Sequence, residues 1–212
     1  MTDETYRSPR KTGRIAVLLS GRGSNFRALL AAVREGRIDA EIALVLSNKT
    51  EAPGLASACE AGLDTLFLDP KSFPSKEDYD AEIVRELGAR DIDLVCLAGY
   101  MKILTPVFCR AFKNRILNIH PALLPAFPGL HVQQGAIDWG VRFSGCTVHF
   151  VAEEVDMGPI VLQAAVPVLQ DDTEETLSAR ILVEEHRIYP EAVRLYFEGR
   201  IEIRGRRVFI SG

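Results

Sequence analysis

The sequence has no long apolar run, no cysteines paired at metal-binding spacing and no surplus of positive charge. The first absence excludes a membrane-spanning helix, which needs about 20 consecutive apolar residues. Cys59, Cys96, Cys109 and Cys146 include no C-x-x-C pair and match no zinc pattern, so no metal centre is expected. Cys96 lies in an apolar run and reads as a buried thiol, and the set as a whole suits a reducing, cytoplasmic compartment. A net charge of −4 gives no general attraction to nucleic acid or an anionic membrane, so a phosphorylated ligand would need a local site. Residues 1–12 are polar, lack the apolar stretch of a signal peptide and read as a flexible tail.

What is present is the pattern of one α/β domain. The 212 residues are 47% hydrophobic and 25% charged, and no internal repeat or linker divides residues 13–212. Branched apolar runs at Arg14 to Ser20, Glu41 to Leu46, Asp64 to Leu68, Leu94 to Ala98 and Arg115 to Ile119 read as strands. Between them, Ser24 to Glu35, Pro53 to Ala61 and Ser75 to Arg90 have helical spacing, with Ser24 and Ser75 as candidate N-caps. Such alternation predicts a mostly parallel sheet with helices on both faces. A short helix near Val132 to Trp139 precedes strand-like runs at Ser144 to Val151 and Pro159 to Val168, which predict an antiparallel C-terminal extension. A long amphipathic helix from Thr173 to Tyr196, with Pro190 inside it, and a small hairpin close the chain.

Three segments carry chemistry. Ser20-Gly21-Arg22-Gly23-Ser24-Asn25 joins the first strand to the first helix, but no G-K-[S/T] follows and no third glycine completes a dinucleotide fingerprint. It reads either as a one-phosphate site built on the amides of Gly23, Ser24 and Asn25 or as an ordinary tight turn. Asn118 and His120 lie two residues apart at a strand end and so share a face. An amide donor beside an imidazole suits acyl chemistry, in which oxygen gains charge and a proton moves. Asp156 follows the next strand, and a carboxylate beside an imidazole would favour imidazolium and orient the ring. His149 shares a face with Thr147 and reads either as a site residue or as a satisfied core residue, while His131 reads as a cap or a surface residue.

The segments S-G-R-G-S-N from Ser20, L-A-G-Y-M-K-I-L-T-P from Leu97, N-I-H-P-A-L-L-P-A-F-P-G-L-H from Asn118, V-H-F-V-A-E-E-V-D-M-G-P-I-V from Val148 and E-E-H-R-I-Y-P from Glu184 come in family order. On them the chain resembles the folate-dependent phosphoribosylglycinamide formyltransferases of purine biosynthesis. The resemblance implies a Rossmann-like N-terminal half and transfer of a formyl group from 10-formyltetrahydrofolate to glycinamide ribonucleotide, with Asn118, His120 and Asp156 as the catalytic residues. It implies ribonucleotide contacts at Gly23, Ser24, Asn25 and Glu185, and formyl-folate contacts at Lys76, Met101, Lys102, Ile103, Leu104 and Asn118. It further implies a cis Leu124-Pro125 bond. Lys102 stands where many members carry arginine, and Leu182 where some carry a polar residue. The rival readings are a formyltetrahydrofolate deformylase, another formyltransferase on the same core, and a non-catalytic nucleotide-binding module. No nucleic-acid or membrane partner is implied, and monomer and homodimer both stay open.

Overall fold

Strand β2 (Gly13–Leu19) shows how the layers form. Its side chains alternate, so Ile15, Val17 and Leu19 enter one buried cluster while Ala16 and Leu18 enter another. A strand apolar on both faces must be covered on both, which is the condition of a central parallel strand. A computed structural model describes residues 5–9 and 12–212 and places β2 in a seven-stranded sheet. On the first face lie α1 (Ser24–Arg34) and α6 (Glu174–Phe197), and on the second α3 (Lys76–Gly88) and α4 (Pro106–Ala111). The remaining strands are β3 (Ala40–Ser47), β4 (Thr65–Phe67), β5 (Leu94–Leu97), β6 (Ile116–His120), β7 (Phe143–Phe150) and β8 (Ile160–Pro167). The order is β4-β3-β2-β5-β6-β7-β8, parallel as far as β6 and antiparallel for β7 and β8.

Strand order reverses between β2 and β5, and the loops leaving their carboxyl ends share one crevice, where open α/β sheets bind ligands. Helix α6 continues through Pro190 and spans the underside of the sheet, packing on α1, β7, β8 and α5 (Val132–Asp138). Its buried Tyr189 Oη lies 2.9 Å from the Leu117 carbonyl and 3.1 Å from that of Leu97, tying α6 to the ends of β5 and β6.

Three expectations are corrected. Part of the segment read as a flexible tail is a strand: β1 (Thr5–Arg7) pairs with β9 (Ile201–Arg204), which pairs with β10 (Arg207–Ile210). The edge of the terminal hairpin supplies backbone partners to β1, and Ser8 N donates to the Ile201 carbonyl at 2.8 Å. Residues 1–4, 10 and 11 of that tail lie outside the described residues. Ser24 is the first residue of α1 and not its cap. The cap is Gly23, in the left-handed region at φ 69, and no side chain caps that end of the helix. Helix α4 is additional to the predicted elements. It is short, and Pro106 in its first turn is the one local signal for it.

Candidate active site

Register assembles the site. In the antiparallel pair of β6 and β7, Asn118 lies opposite His149 and His120 lies opposite Thr147. Opposed residues have their Cβ atoms about 5 Å apart, so each pair is in side-chain reach. Asn118 Nδ2 stands 3.2 Å from His149 Nε2, and His149 Nδ1 stands 2.9 Å from the Phe150 carbonyl. A carbonyl only accepts, so Nδ1 of His149 carries the hydrogen and Nε2 accepts from the amide. Burial holds the His149 pKa below the ordinary histidine value, against the opposing pull of the Phe150 carbonyl and Asp156. The amide of Asn118 has two hydrogens, so one stays free on this half-buried residue for a ligand oxygen.

His120 is buried, and its Nε2 lies 2.8 Å from the Phe127 carbonyl. By the same argument Nε2 carries hydrogen, and Nδ1 faces the loop after β7. Asp156, at φ 55, turns back from that loop. Its Oδ2 lies 3.6 Å from His120 Nδ1 and its Oδ1 lies 3.6 Å from His149 Nε2. The His120 distance suits an ion pair with a protonated ring, and both distances are too long for a direct hydrogen bond. Asp156 also accepts from Gly129 N at 2.9 Å. Phe127 and Gly129 both belong to the segment between β6 and α5, which carries the cis Leu124-Pro125 bond. The carboxylate therefore sits between two imidazoles, and the Asn118 amide approaches the same His149 nitrogen that the carboxylate faces.

At the carboxyl end of β2 the glycine loop packs against the first turn of α2 (Pro53–Glu60). Gly54 N donates to the Gly21 carbonyl at 3.0 Å, and a Cβ on Gly23 would stand 2.7 Å from Gly54 Cα. Asn25 Nδ2 donates to Glu185 Oε2 at 2.7 Å, and both residues are buried. Burial raises the Glu185 pKa, and the Asn25 hydrogen bond partly opposes it. Asn25 Oδ1 is buried with no partner among the described residues. One uncapped helix start and one unpartnered acceptor thus lie within three residues.

A cleft of about 530 Å³ opens beside the loop after β5, between Phe73, Lys76, Tyr79, Met101, Lys102 and Ile103. Asn118, His120 and Asp156 form no part of its wall. Met101 is 62% exposed and Ile103 71% exposed, apolar surface of the kind that ligands cover. Leu104, by contrast, is buried in the second core cluster and does not line the cleft. The loop is pinned at both ends. Ser20 Oγ accepts from Met101 N at 2.8 Å and donates to Asn48 Oδ1 at 2.6 Å, while buried Asp80 accepts from Thr105 N at 2.6 Å. Burial raises the Asp80 pKa.

The structure thus brings Asn118, His120 and Asp156 together, and Asn25 with Glu185. It groups Lys76, Met101, Lys102 and Ile103 on one cleft. His149 joins the cluster of Asn118, His120 and Asp156, which its face on β7 allowed without requiring. His131 is exposed and occupies the N-cap position of α5, where its side chain makes no capping hydrogen bond. The backbone contacts of Phe127 and Gly129 left no signal in the sequence. Among the described residues no group of three His, Cys, Asp or Glu residues could hold a metal, and no helix is long and apolar enough to cross a membrane.

The formyl transferase family model matches residues 13–193. The chain is 48% identical over 200 residues to the trifunctional purine biosynthetic protein adenosine-3 of Drosophila pseudoobscura pseudoobscura, covering 93% of this chain but only 14% of that protein. It is 41% identical over 198 residues to the phosphoribosylglycinamide formyltransferase of Escherichia coli (strain K12), covering 93% of each. Among solved structures it superposes on the glycinamide ribonucleotide transformylase 1 of Symbiobacterium toebii with a TM-score of 0.94 and 56% identity, covering 95% of each chain.

Proposed function

The chain belongs to the formyl transferase family, and we propose that it carries the formyl group of 10-formyltetrahydrofolate to the primary amine of glycinamide ribonucleotide, a step of purine biosynthesis. The observation that carries this reading is the cluster at the ends of β6 and β7: an amide with a hydrogen to spare, an imidazole and a carboxylate within 3.6 Å of that imidazole. Acyl transfer to an amine needs these three groups: a donor for the oxygen that gains charge, a proton carrier and an acceptor for the proton the amine loses.

The residues present fit both substrates. The uncapped start of α1 suits a phosphate on the amides of Ser24 and Asn25. The unpartnered Asn25 Oδ1, beside Glu185, suits a donor such as an amine. The cleft beside Met101 and Ile103 offers apolar surface for a ring system, and Lys76 and Lys102 suit the carboxylates of a folate tail. When bound there, formyl folate supplies an electrophilic formyl carbon.

Asn118 donates its free hydrogen to the formyl oxygen as charge grows there. His120, with Nε2 committed to Phe127, holds at Nδ1 a proton for the nitrogen that departs as its bond to the formyl carbon breaks. Asp156 orients His120 and takes up the amine proton, directly or through one water. His149 holds Asn118 in place and, kept neutral by burial, adds no positive charge of its own. Free thiols, three of them buried, fit a reducing compartment, and we place the activity in the cytoplasm.

The test mixes pure protein with 10-formyltetrahydrofolate and follows tetrahydrofolate release with and without glycinamide ribonucleotide. Release that requires the ribonucleotide supports transfer. Equal release without it would make the chain a deformylase, and no release under either condition would leave a binding module.

A further inference from the structure

Three side chains form a row across the antiparallel half: His120 on β6 faces Thr147 on β7, and Thr147 faces Gln163 on β8. The transfer step described above uses only the first of them. Thr147 is fully buried, and its hydroxyl has every bonding position filled. It donates to the Ala122 carbonyl at 2.6 Å and accepts from Leu124 N at 3.1 Å and from Gln163 Nε2 at 3.0 Å. Gln163 Nε2 also donates to the Leu124 carbonyl at 2.9 Å. Ala122 and Leu124 root the segment whose later residues return to the site, Phe127 to His120 Nε2 and Gly129 to Asp156 Oδ2.

We infer that Thr147 is a positioning residue for the formyl transfer: its hydroxyl, braced by Gln163, fixes the root of the 121–130 segment and so sets the orientation of His120 and Asp156. The inference rests on the proposed transferase reading for its rate effect, but not for its geometry. No other side chain makes a hydrogen bond to both Ala122 and Leu124 among those described here. Removing the hydroxyl leaves a buried N–H and a buried C=O without that partner, and such groups seek new ones. The segment then shifts at its root while the strands keep their ladder. A displacement of about 1 Å at a catalytic group can cost about a hundredfold in rate.

Thr147→Val keeps the shape and loses the hydroxyl, and Thr147→Ser keeps the hydroxyl. Each is assayed for formyl transfer with kcat and both KM values read separately, and the imidazole nitrogens of His120 are followed by 15N NMR without substrates. For Thr147→Val we expect kcat to fall by about ten- to a hundredfold with KM values nearly unchanged, and the His120 resonances to move away from the Nε2–H pattern. Thr147→Ser should restore both. Wild-type kcat in Thr147→Val, a lowered kcat with unmoved His120 resonances, or failure of serine to rescue would each overturn the inference. If Thr147→Val does not fold, Gln163→Leu replaces it: moved resonances with lowered kcat support the inference, and unmoved resonances overturn it. If the wild-type protein transfers no formyl group, the function fails, and the His120 resonances of the variants alone decide the positioning role.

Discussion

The two halves of the sheet position ligands by different means. In the parallel half the groups offered are loops and helix starts, each rooted by one side chain from a neighbouring element: Ser20 holds Met101 N and Asp80 holds Thr105 N. In the antiparallel half, side chains are set against one another by register, Asn118 against His149 and His120 against Thr147. Parallel strands send every chain end to the same edge, which gathers backbone groups suited to binding. An antiparallel pair brings two strands' side chains into direct contact on one face, which suits groups that must hold sub-ångström geometry. The division predicts that damage to the antiparallel half lowers kcat, and damage to the parallel half raises KM or weakens the fold.

The largest effect should come from the antiparallel half. His120→Ala and Asn118→Ala should each lower kcat by about a hundred- to a thousandfold, the usual result of losing one group that stabilises the transition state. Asn118→Ala should melt near wild type, because the β6 ladder persists, whereas His120→Ala should melt lower, because it leaves a cavity and the Phe127 carbonyl without its partner. Wild-type turnover in either variant would remove that residue from the mechanism. Next in size is Gly23→Ala. It puts a Cβ 2.7 Å from Gly54 Cα at a backbone φ of 69, and a non-glycine residue in that region costs about 1–3 kcal/mol. Denaturation should show this loss together with a raised KM for the ribonucleotide. An unchanged KM would break the assignment of the glycine loop to phosphate.

The sequence showed the parallel half more fully than the antiparallel one, for a physical reason. Strand-helix alternation is local, so β2 through β6 and the helices between β2 and β5 follow from periodicity over short windows. Asn118 and His120 could be paired because alternation along one strand puts both on one face. Asp156 could not be placed by pattern, since a polar turn after a strand is usually solvated; only family resemblance singled it out. The partnership of Asn118 with His149 depends on the register between two strands about 30 residues apart, which no local window contains. The same holds for β1, whose pairing with β9 joins the two ends of the chain. The Phe127 and Gly129 contacts are backbone contacts and leave no mark on residue type.

His149 links the site to pH. Its folded pKa is lowered from 6.5, as is that of His186, also by burial. Between the folded and unfolded values the unfolded chain holds more protons, so stability rises with pH there. Cooling of the melting temperature should therefore set in as pH falls through about 6.5, the unfolded value. His149→Gln should shallow that slope without abolishing it, since His186 remains. An unchanged slope would mean that burial of His149 does not govern acid sensitivity.

The smallest effect should fall on the cleft. Lys102 is exposed at its rim, and arginine there keeps the charge and adds a planar fork that binds carboxylate through two hydrogen bonds. An exposed pair is worth less than about 1 kcal/mol, so Lys102→Arg should lower KM for 10-formyltetrahydrofolate by about two- to fivefold at most. Because the substitution touches neither β6 nor β7, kcat should hold. A matching change in kcat would mean that the loop after β5 also orients the reacting carbon, and binding and chemistry would then no longer divide at the boundary between the parallel and antiparallel strands.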